Sequence, residues 1–130
     1  MPRALRLWGP VAAWMAVIFA ASSRPLPAYV AILPDWSTHS AAFAALSILC
    51  CRALAGGLGP ALRRGDALLA VVISVAYGVS DEYHQSFVPG RDATGWDVAK
   101  DFAGAVIGAW LYARVIVPRF RLQHREAHRG

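Results

Sequence analysis

A chain of 130 residues that is 57% hydrophobic and only 16% charged is one domain in length and departs from the soluble average of about 25% charged residues. Its net charge of +5 would suit nucleic acid, but the charge sits on the flanks of apolar blocks and in a tail matched to anionic lipid head groups, which excludes nucleic acid as a partner. The density of apolar residues disfavours a soluble bundle of fully buried helices and predicts an all-α polytopic membrane protein. The expected form is a compact four-transmembrane-helix bundle over residues 1–118, with a basic cytoplasmic tail over 119–130.

The apolar blocks are residues 5–21, 41–54, 67–80 and 102–117, dominated by Ala, Leu, Val and Ile. The first follows Arg3 and Arg6 and ends in small residues from Ala20 to Ser23. That pattern also fits a signal peptide, whose cleavage would leave three spans and an external start. Pro25, Pro27 and Pro34 then forbid a continuous helix and predict an external loop, with Tyr29 and Trp36 suited to the membrane interface. The second and third blocks fall short of the roughly 17 residues that a span needs. Helical turns carrying Asp35 to His39 and Asp81 to Gln85 must therefore extend them into the membrane. Cys50 and Cys51 are adjacent and lack CxxC spacing, so neither a disulfide nor a zinc site is expected. Gly56, Gly57, Gly59 and Pro60 make a short turn that leaves the second and third helices as neighbours. Pro89-Gly90 folds the chain back before Asp97 opens the last helix.

Charge then gives orientation. Arg3, Arg6, Arg52, Arg63, Arg64, Arg114, Arg119, Arg121, Arg125 and Arg129 fall on one side of the spans; Arg24, Arg91 and Lys100 fall on the other with Asp35, Asp81, Glu82, Asp92, Asp97 and Asp101. The positive-inside rule puts both termini in the cytoplasm and the acidic clusters outside.

Small residues recur at packing spacing on the third helix (Ala70, Ser74, Gly78) and the fourth (Gly104, Gly108), which predicts close contact between those two helices. Along the same faces stand ionisable residues. Asp81, His84 and Gln85 share one face at i, i+3 and i+4, with Glu82 about 100° aside. Asp35 with His39 and Asp97 with Asp101 repeat the i, i+4 relation, so three helices present polar groups to one outer pocket and the turn delivers Arg91. A carboxylate beside a histidine can orient a general base, and the planar fork of arginine suits phosphate. Catalytic candidates are His39, Asp81, Glu82 and His84; substrate-binding candidates are Asp35, Gln85, Arg91, Asp97 and Asp101. Each also has a structural reading: Asp97 can cap a helix, and Arg91 can pin the turn by pairing with Asp81 or Glu82. Asp92 reads as a solvated turn residue, and a lone histidine on a helix more often packs than catalyses. Ionisable groups clustered at membrane depth nonetheless call for a shared purpose. A divalent metal on Asp35, His39, Asp81 and His84 has no HxxH or HExxH spacing behind it, so no metal or cofactor is expected.

The stretch Tyr77-Gly78-Val79-Ser80-Asp81-Glu82-Tyr83-His84-Gln85-Ser86-Phe87-Val88-Pro89-Gly90-Arg91, followed by Asp97 and Gly104, resembles the signature of the VanZ-like membrane proteins. Phe19 to Pro25, and Asp35 with His39, look like the same family's earlier motifs, so the resemblance covers nearly the whole chain. One position departs: Asp101 stands where the family usually has Asn. The resemblance implies a bacterial cell-envelope protein of the cytoplasmic membrane, in a family named for teicoplanin resistance and suspected of acting on phosphate-containing lipid head groups. The partners it implies are membrane lipids or polyprenyl-linked envelope precursors. As an enzyme the chain would hydrolyse or transfer a head group, with His39 or His84 as base, Asp81 and Glu82 as acid/base or orienting carboxylates, and Arg91 on the phosphate. The alternatives are a non-catalytic membrane protein that binds lipid or glycopeptide, and a small transporter, which the absence of mid-span polar groups disfavours.

Overall fold

The computed structural model describes the chain apart from residues 26–34, 59–60 and 128–130, and apart from the side chains of 35 and 123–127. The expectations for Pro27, Tyr29 and Pro34 in the first connection, and for the side chains of Arg125 and Arg129 in the tail, therefore lie outside the described residues. The helices are α1 (Arg3–Ser22), α2 (Asp35–Leu54), α3 (Arg64–Gln85), α4 (Gly95–Leu111) and α5 (Val117–Ala127). A π-helical turn at Tyr112–Ile116 joins α4 to α5 without a break, so the described residues form four rods and include no strand. The tail thus begins as a continuation of the last rod.

Three rods, α1, α2 and the α4 rod to Leu122, are long and apolar enough to cross a membrane. The fourth, α3, is less apolar because its last turn carries Asp81, Glu82, His84 and Gln85. The polar turns extend α2 and α3 as helix, as the short apolar blocks require.

Two prolines shape the rods. Pro10 lies inside α1 and has no N–H for the Arg6 carbonyl one turn earlier. Arg52 of α2 reaches that carbonyl instead, with Nη1 at 3.3 Å and Nη2 at 3.4 Å, and so ties the two helices together at one end. Pro118 in turn cannot donate to the Arg114 carbonyl, and its ring would press on it in ordinary α geometry. Just before it the chain widens, and the Val117 N–H donates to the Tyr112 carbonyl five residues back. Tyr112 is fully buried, and its hydroxyl donates to Gly57 O at 2.7 Å in the α2–α3 turn. That turn contains Gly56 at φ 80° and Gly57 at φ 139°, conformations that side-chain-bearing residues rarely adopt.

The centre of the bundle is α2. It packs on α1, α3 and α4, and its buried Phe43, Leu46, Cys50, Cys51 and Ala53 form much of the core. Both cysteines are free thiols. The contact made by the α4 glycines corrects the expectation from small-residue spacing. The closest neighbours of Gly104 and Gly108 are the backbones of Ser40 and Ala44 on α2, not α3. Matching Ser40 with Gly104 and Ala44 with Gly108 makes α2 and α4 parallel. Gly78 of α3 faces Asp101 of α4 and Phe43 of α2. Spacing gave the right residues and the right partner helix for Gly78, but not for Gly104 and Gly108, because a small-residue stripe carries no label for what it meets.

Gly104→Leu should cost more than about 3 kcal/mol, since the added side chain would overlap the α2 backbone. Val106→Leu, on the exposed face of the same helix, should stay within about 0.5 kcal/mol. Melting temperatures of the purified variants check this, and unchanged melting of Gly104→Leu would show that α4 meets lipid at that position. Arg52→Ala should cost about 0.5–1 kcal/mol by removing the hydrogen bonds to the exposed Arg6 carbonyl. In a Pro10→Ala background, which returns an N–H to that carbonyl, the cost should shrink. Equal losses in both backgrounds would show that Arg52 acts elsewhere.

Candidate functional site

The rods bring their polar turns together at one end, where α1 and α3 finish and α2 and α4 begin. The opposite end gathers Arg3 against Gly56 and Arg63 against Asp66, and there Tyr112 meets the α2–α3 turn.

Asp81 is 6% exposed and forms the inner floor of the site. Ser22 Oγ lies 2.5 Å from Asp81 Oδ1, and Gln85 Nε2 donates to Oδ2 at 2.8 Å. Ser22 Oγ also lies near the Ile18 and Phe19 carbonyls. A hydroxyl has one proton, and an ionised carboxylate is the strongest of these three acceptors. This bond joins the end of α1 to the last turn of α3.

His39 Nδ1 stands 3.1 Å from Asp101 Oδ1, and Asp101 is 2% exposed. An ionised carboxylate only accepts, so the tautomer is assigned with the proton on Nδ1, leaving Nε2 as the basic atom of the neutral ring. Ser40 Oγ donates to Lys100 O at 3.1 Å beside this pair, reinforcing the register between α2 and α4. Gly78 leaves the room that Asp101 occupies, because a Cβ there would lie 2.8 Å from Asp101 Oδ2.

Asp97 is not the N-cap residue of α4, but its carboxylate lies in the first turn, where the helix dipole favours it. The N-cap residue Thr94 makes no side-chain cap bond; Thr94 Oγ1 instead donates to Asp97 Oδ2 at 2.8 Å, and Lys100 Nζ donates to Oδ1 at 2.7 Å. Glu82 is half-buried beside the same group, with the Thr94 backbone N–H against its carboxylate and Asp97, His39 and Asp101 in electrostatic reach. Its Oε1 is buried and has no hydrogen-bond partner among the described residues.

Arg91 differs from the structural reading that paired its side chain with Asp81 or Glu82. It donates from Nε to Arg24 O and from Nη2 to Ala21 O, both at 2.8 Å. These carbonyls lie at the C-terminal end of α1, where unpaired acceptors and the helix dipole attract a cation. Gly90, at φ 80°, permits the turn that delivers it.

His84 stands apart. Its Nε2 lies 3.0 Å from Ser23 Oγ, and its ring stacks on Phe19 at 4.4 Å between centroids. Ser23 gives its single proton to Phe19 O at 2.6 Å, so it accepts from His84 Nε2–H. The pair fastens α3 to α1. The side chain of Asp35 lies outside the described residues.

Two cavities adjoin the cluster. One, of about 260 Å³, lies between α1, α2 and α3 and is walled by Trp14, Val17, Ile18, Ala21, Ala42 and Phe43, with Ser22, Thr38, His39, Asp81, Gln85 and Arg91 at its polar side. The other, of about 590 Å³, is polar and is lined by His39, Gln85, Gly90, Arg91, Asp92, Thr94, Trp96, Asp97 and Lys100. His39, Gln85 and Arg91 belong to both and form the partition between them. Asp92, expected as a solvated turn residue, is exposed and lines the rim. Exposed Trp36, Tyr83, Phe87 and Trp96 surround this end of the bundle, the residue types that settle at a membrane interface. Among the described residues no group of three or more His, Cys, Asp or Glu is arranged to hold a metal ion.

Sequence reasoning missed Ser22, Ser23 and Thr94 as partners of the ionisable groups, and it missed the apolar cavity altogether. Ser22-Ser23 lay in view as the end of the first span, but nothing local to them specifies a partner 59 or 61 residues away. The arrangement can bind an anion through Arg91 and Lys100, and it can move a proton through the His39–Asp101 pair.

No curated protein and no solved structure matches the chain. The VanZ/LLP1 family matches it over residues 7–117, a stretch that contains every residue of both cavities, and the chain belongs to that family.

Proposed function

We propose that this chain is a bacterial cytoplasmic-membrane protein, with both ends in the cytoplasm, that holds the phosphate-bearing head group of a lipid or lipid carrier in the polar cavity at the outer face. The observation that carries the reading is a cavity at the interfacial end of the bundle in which Arg91 and Lys100 stand with His39, Gln85 and Thr94. Arg91 is immobilised by two backbone carbonyls and has five N–H donors, so it offers a fixed rather than a floppy cation to an anionic ligand. The arginines at the opposite end, and the basic residues from Arg114 onward, suit the cytoplasmic leaflet and its anionic lipids. A change in outer-face head groups would connect this binding to glycopeptide resistance.

A second, catalytic reading is favoured by one feature, the His39–Asp101 pair on the partition between the cavities. In head-group hydrolysis His39 Nε2 takes a proton from water, whose oxygen forms a new bond to phosphorus. The bond from phosphorus to the leaving oxygen breaks, and that oxygen takes a proton from Glu82, which faces the pair.

Reporter fusions after Gly65 and Gly130 should report cytoplasm, and one between Ser86 and Gly95 the exterior. An external signal at Gly130 would overturn the orientation. Arg91→Lys keeps the charge but cannot hold two carbonyls and a phosphate together, so it should fold and lose head-group binding by about tenfold or more. If Arg91→Lys binds glycerol phosphate like wild type while Arg91→Ala unfolds, Arg91 is a helix cap only and the binding reading fails. Gly78→Ala tests catalysis without changing any ionisable group, because the added methyl displaces Asp101 from His39. Membrane lipid profiles should then show turnover lost in Gly78→Ala and in His39→Ala alike; a head-group species that is unchanged between wild type and both variants rules out the enzyme.

A further inference from the structure

We infer that the apolar cavity between α1, α2 and α3 is a hydrocarbon-chain site, so that the ligand is an amphiphile seated with one chain inside the bundle and its phosphate in the polar cavity. The inference deepens the head-group reading above and rests on it for the position of the phosphate. Three observations carry it.

The first is continuity. His39, Gln85 and Arg91 line both cavities, so a ligand crossing the partition has its chain on the side of Val17, Ile18, Ala21, Ala42 and Phe43 and its charge on the side of Lys100 and Asp97. The second is size. An apolar cavity of about 150 Å³ holds a benzene, so the 260 Å³ present here takes roughly ten carbons of one chain by the same measure. The cavity is open at the surface of the bundle, so the remainder of a longer chain leaves toward lipid.

The third is the way α1 is attached. Its bonds to the bundle are Arg52 to Arg6 O at one end, Trp14 Nε1 to Ala42 O and Tyr77 to Met15 O in the middle, and the Ser22, Ser23 and Arg91 bonds at the other. Between these ties α1 does not close onto α2, and the gap has apolar walls. Water needs polar partners that such walls do not supply, whereas a bilayer supplies hydrocarbon at that depth.

The test uses the full chain in detergent and a decyl phosphate bearing a photoreactive diazirine at the chain end, with labelled residues read by mass spectrometry. Labelling is expected on Val17, Ile18, Ala42 or Phe43 and should be suppressed by unlabelled decyl phosphate. Farnesyl phosphate as a second competitor tells a straight chain from an isoprenoid one: stronger suppression by one names the source of the chain. Val17→Phe, which fills the cavity from α1 at a residue that holds no group of the polar site, should lower labelling about tenfold, the loss expected from excluding roughly two methylenes. Its binding of glycerol phosphate, which has no chain, should be unchanged. Labelling spread over the exposed Leu68, Leu69, Val72 and Val106 and not suppressed by competitor overturns the chain site, whether or not Val17→Phe folds. If glycerol phosphate still binds in that case, the head-group reading survives alone; if the cavity is labelled but glycerol phosphate does not bind, the chain site stands and the head-group reading falls.

Discussion

The site depends on one contact, the approach of the α4 backbone at Gly104 and Gly108 to the α2 backbone at Ser40 and Ala44. In lipid, apolar side chains gain nothing by leaving one hydrocarbon surface for another, so helices associate where small residues let backbones come close. Here that closeness also fixes register. With Gly104 on Ser40, the turn before it sets Asp101 beside His39 and Lys100 O beside Ser40 Oγ. A slip of one turn would part the buried Asp101 carboxylate from His39 and the half-buried Ser40 hydroxyl from Lys100 O, so packing and hydrogen bonding demand the same alignment. Gly78 completes the arrangement from α3 by leaving the volume that Asp101 fills.

Helix α1 is held by a different kind of force. Only Val11, Ile18 and Ser22 are buried in it, with Leu7, Trp14 and Met15 partly buried against the core, and its other ties are the Phe19–His84 stack and hydrogen bonds. Such bonds within membranes average about 0.6 kcal/mol each, so α1 is the wall of the bundle most easily displaced. That wall carries Ser22 and presents the carbonyls that hold Arg91. Displacing it to admit a ligand therefore acts directly on Asp81 and Arg91, which couples access to the geometry of the site.

Much of this was legible in the sequence. Blocks of Ala, Leu, Val and Ile bounded by Gly and Pro give the four rods, and the shortness of the second and third blocks forces Asp81 to Gln85 into helix. The grouping of His39, Asp81, Gln85, Arg91 and Asp97 around adjoining cavities follows from which helix ends carry polar residues. Pairwise assignments were not legible. Gly104 and Gly108 were matched to the wrong helix because small residues on α3 offered an equally good stripe, and only the three-dimensional arrangement distinguishes them. Arg91 was expected to find a carboxylate, since side-chain charges are visible in a sequence whereas the unpaired carbonyls at the end of α1 are not. His84 shared a helical face with Asp81, yet a neighbouring serine and a phenylalanine ring drew it toward α1.

Asp101 is the residue whose presence the geometry explains last. An asparagine there, as the resemblance to VanZ-like proteins leads one to expect, could accept the Nδ1–H of His39 through its amide oxygen and keep the ring in the same tautomer. It could not balance the charge of a ring that has accepted a proton on Nε2. An aspartate does both, at the cost of a carboxylate that is 2% exposed and close to Glu82, Asp97 and Asp81. Like charges crowded in that way are tolerable only if protons or cations are shared among them, and Lys100 is already bonded to Asp97. The cluster is therefore least strained when His39, or one of the carboxyls beside Asp101, carries a proton.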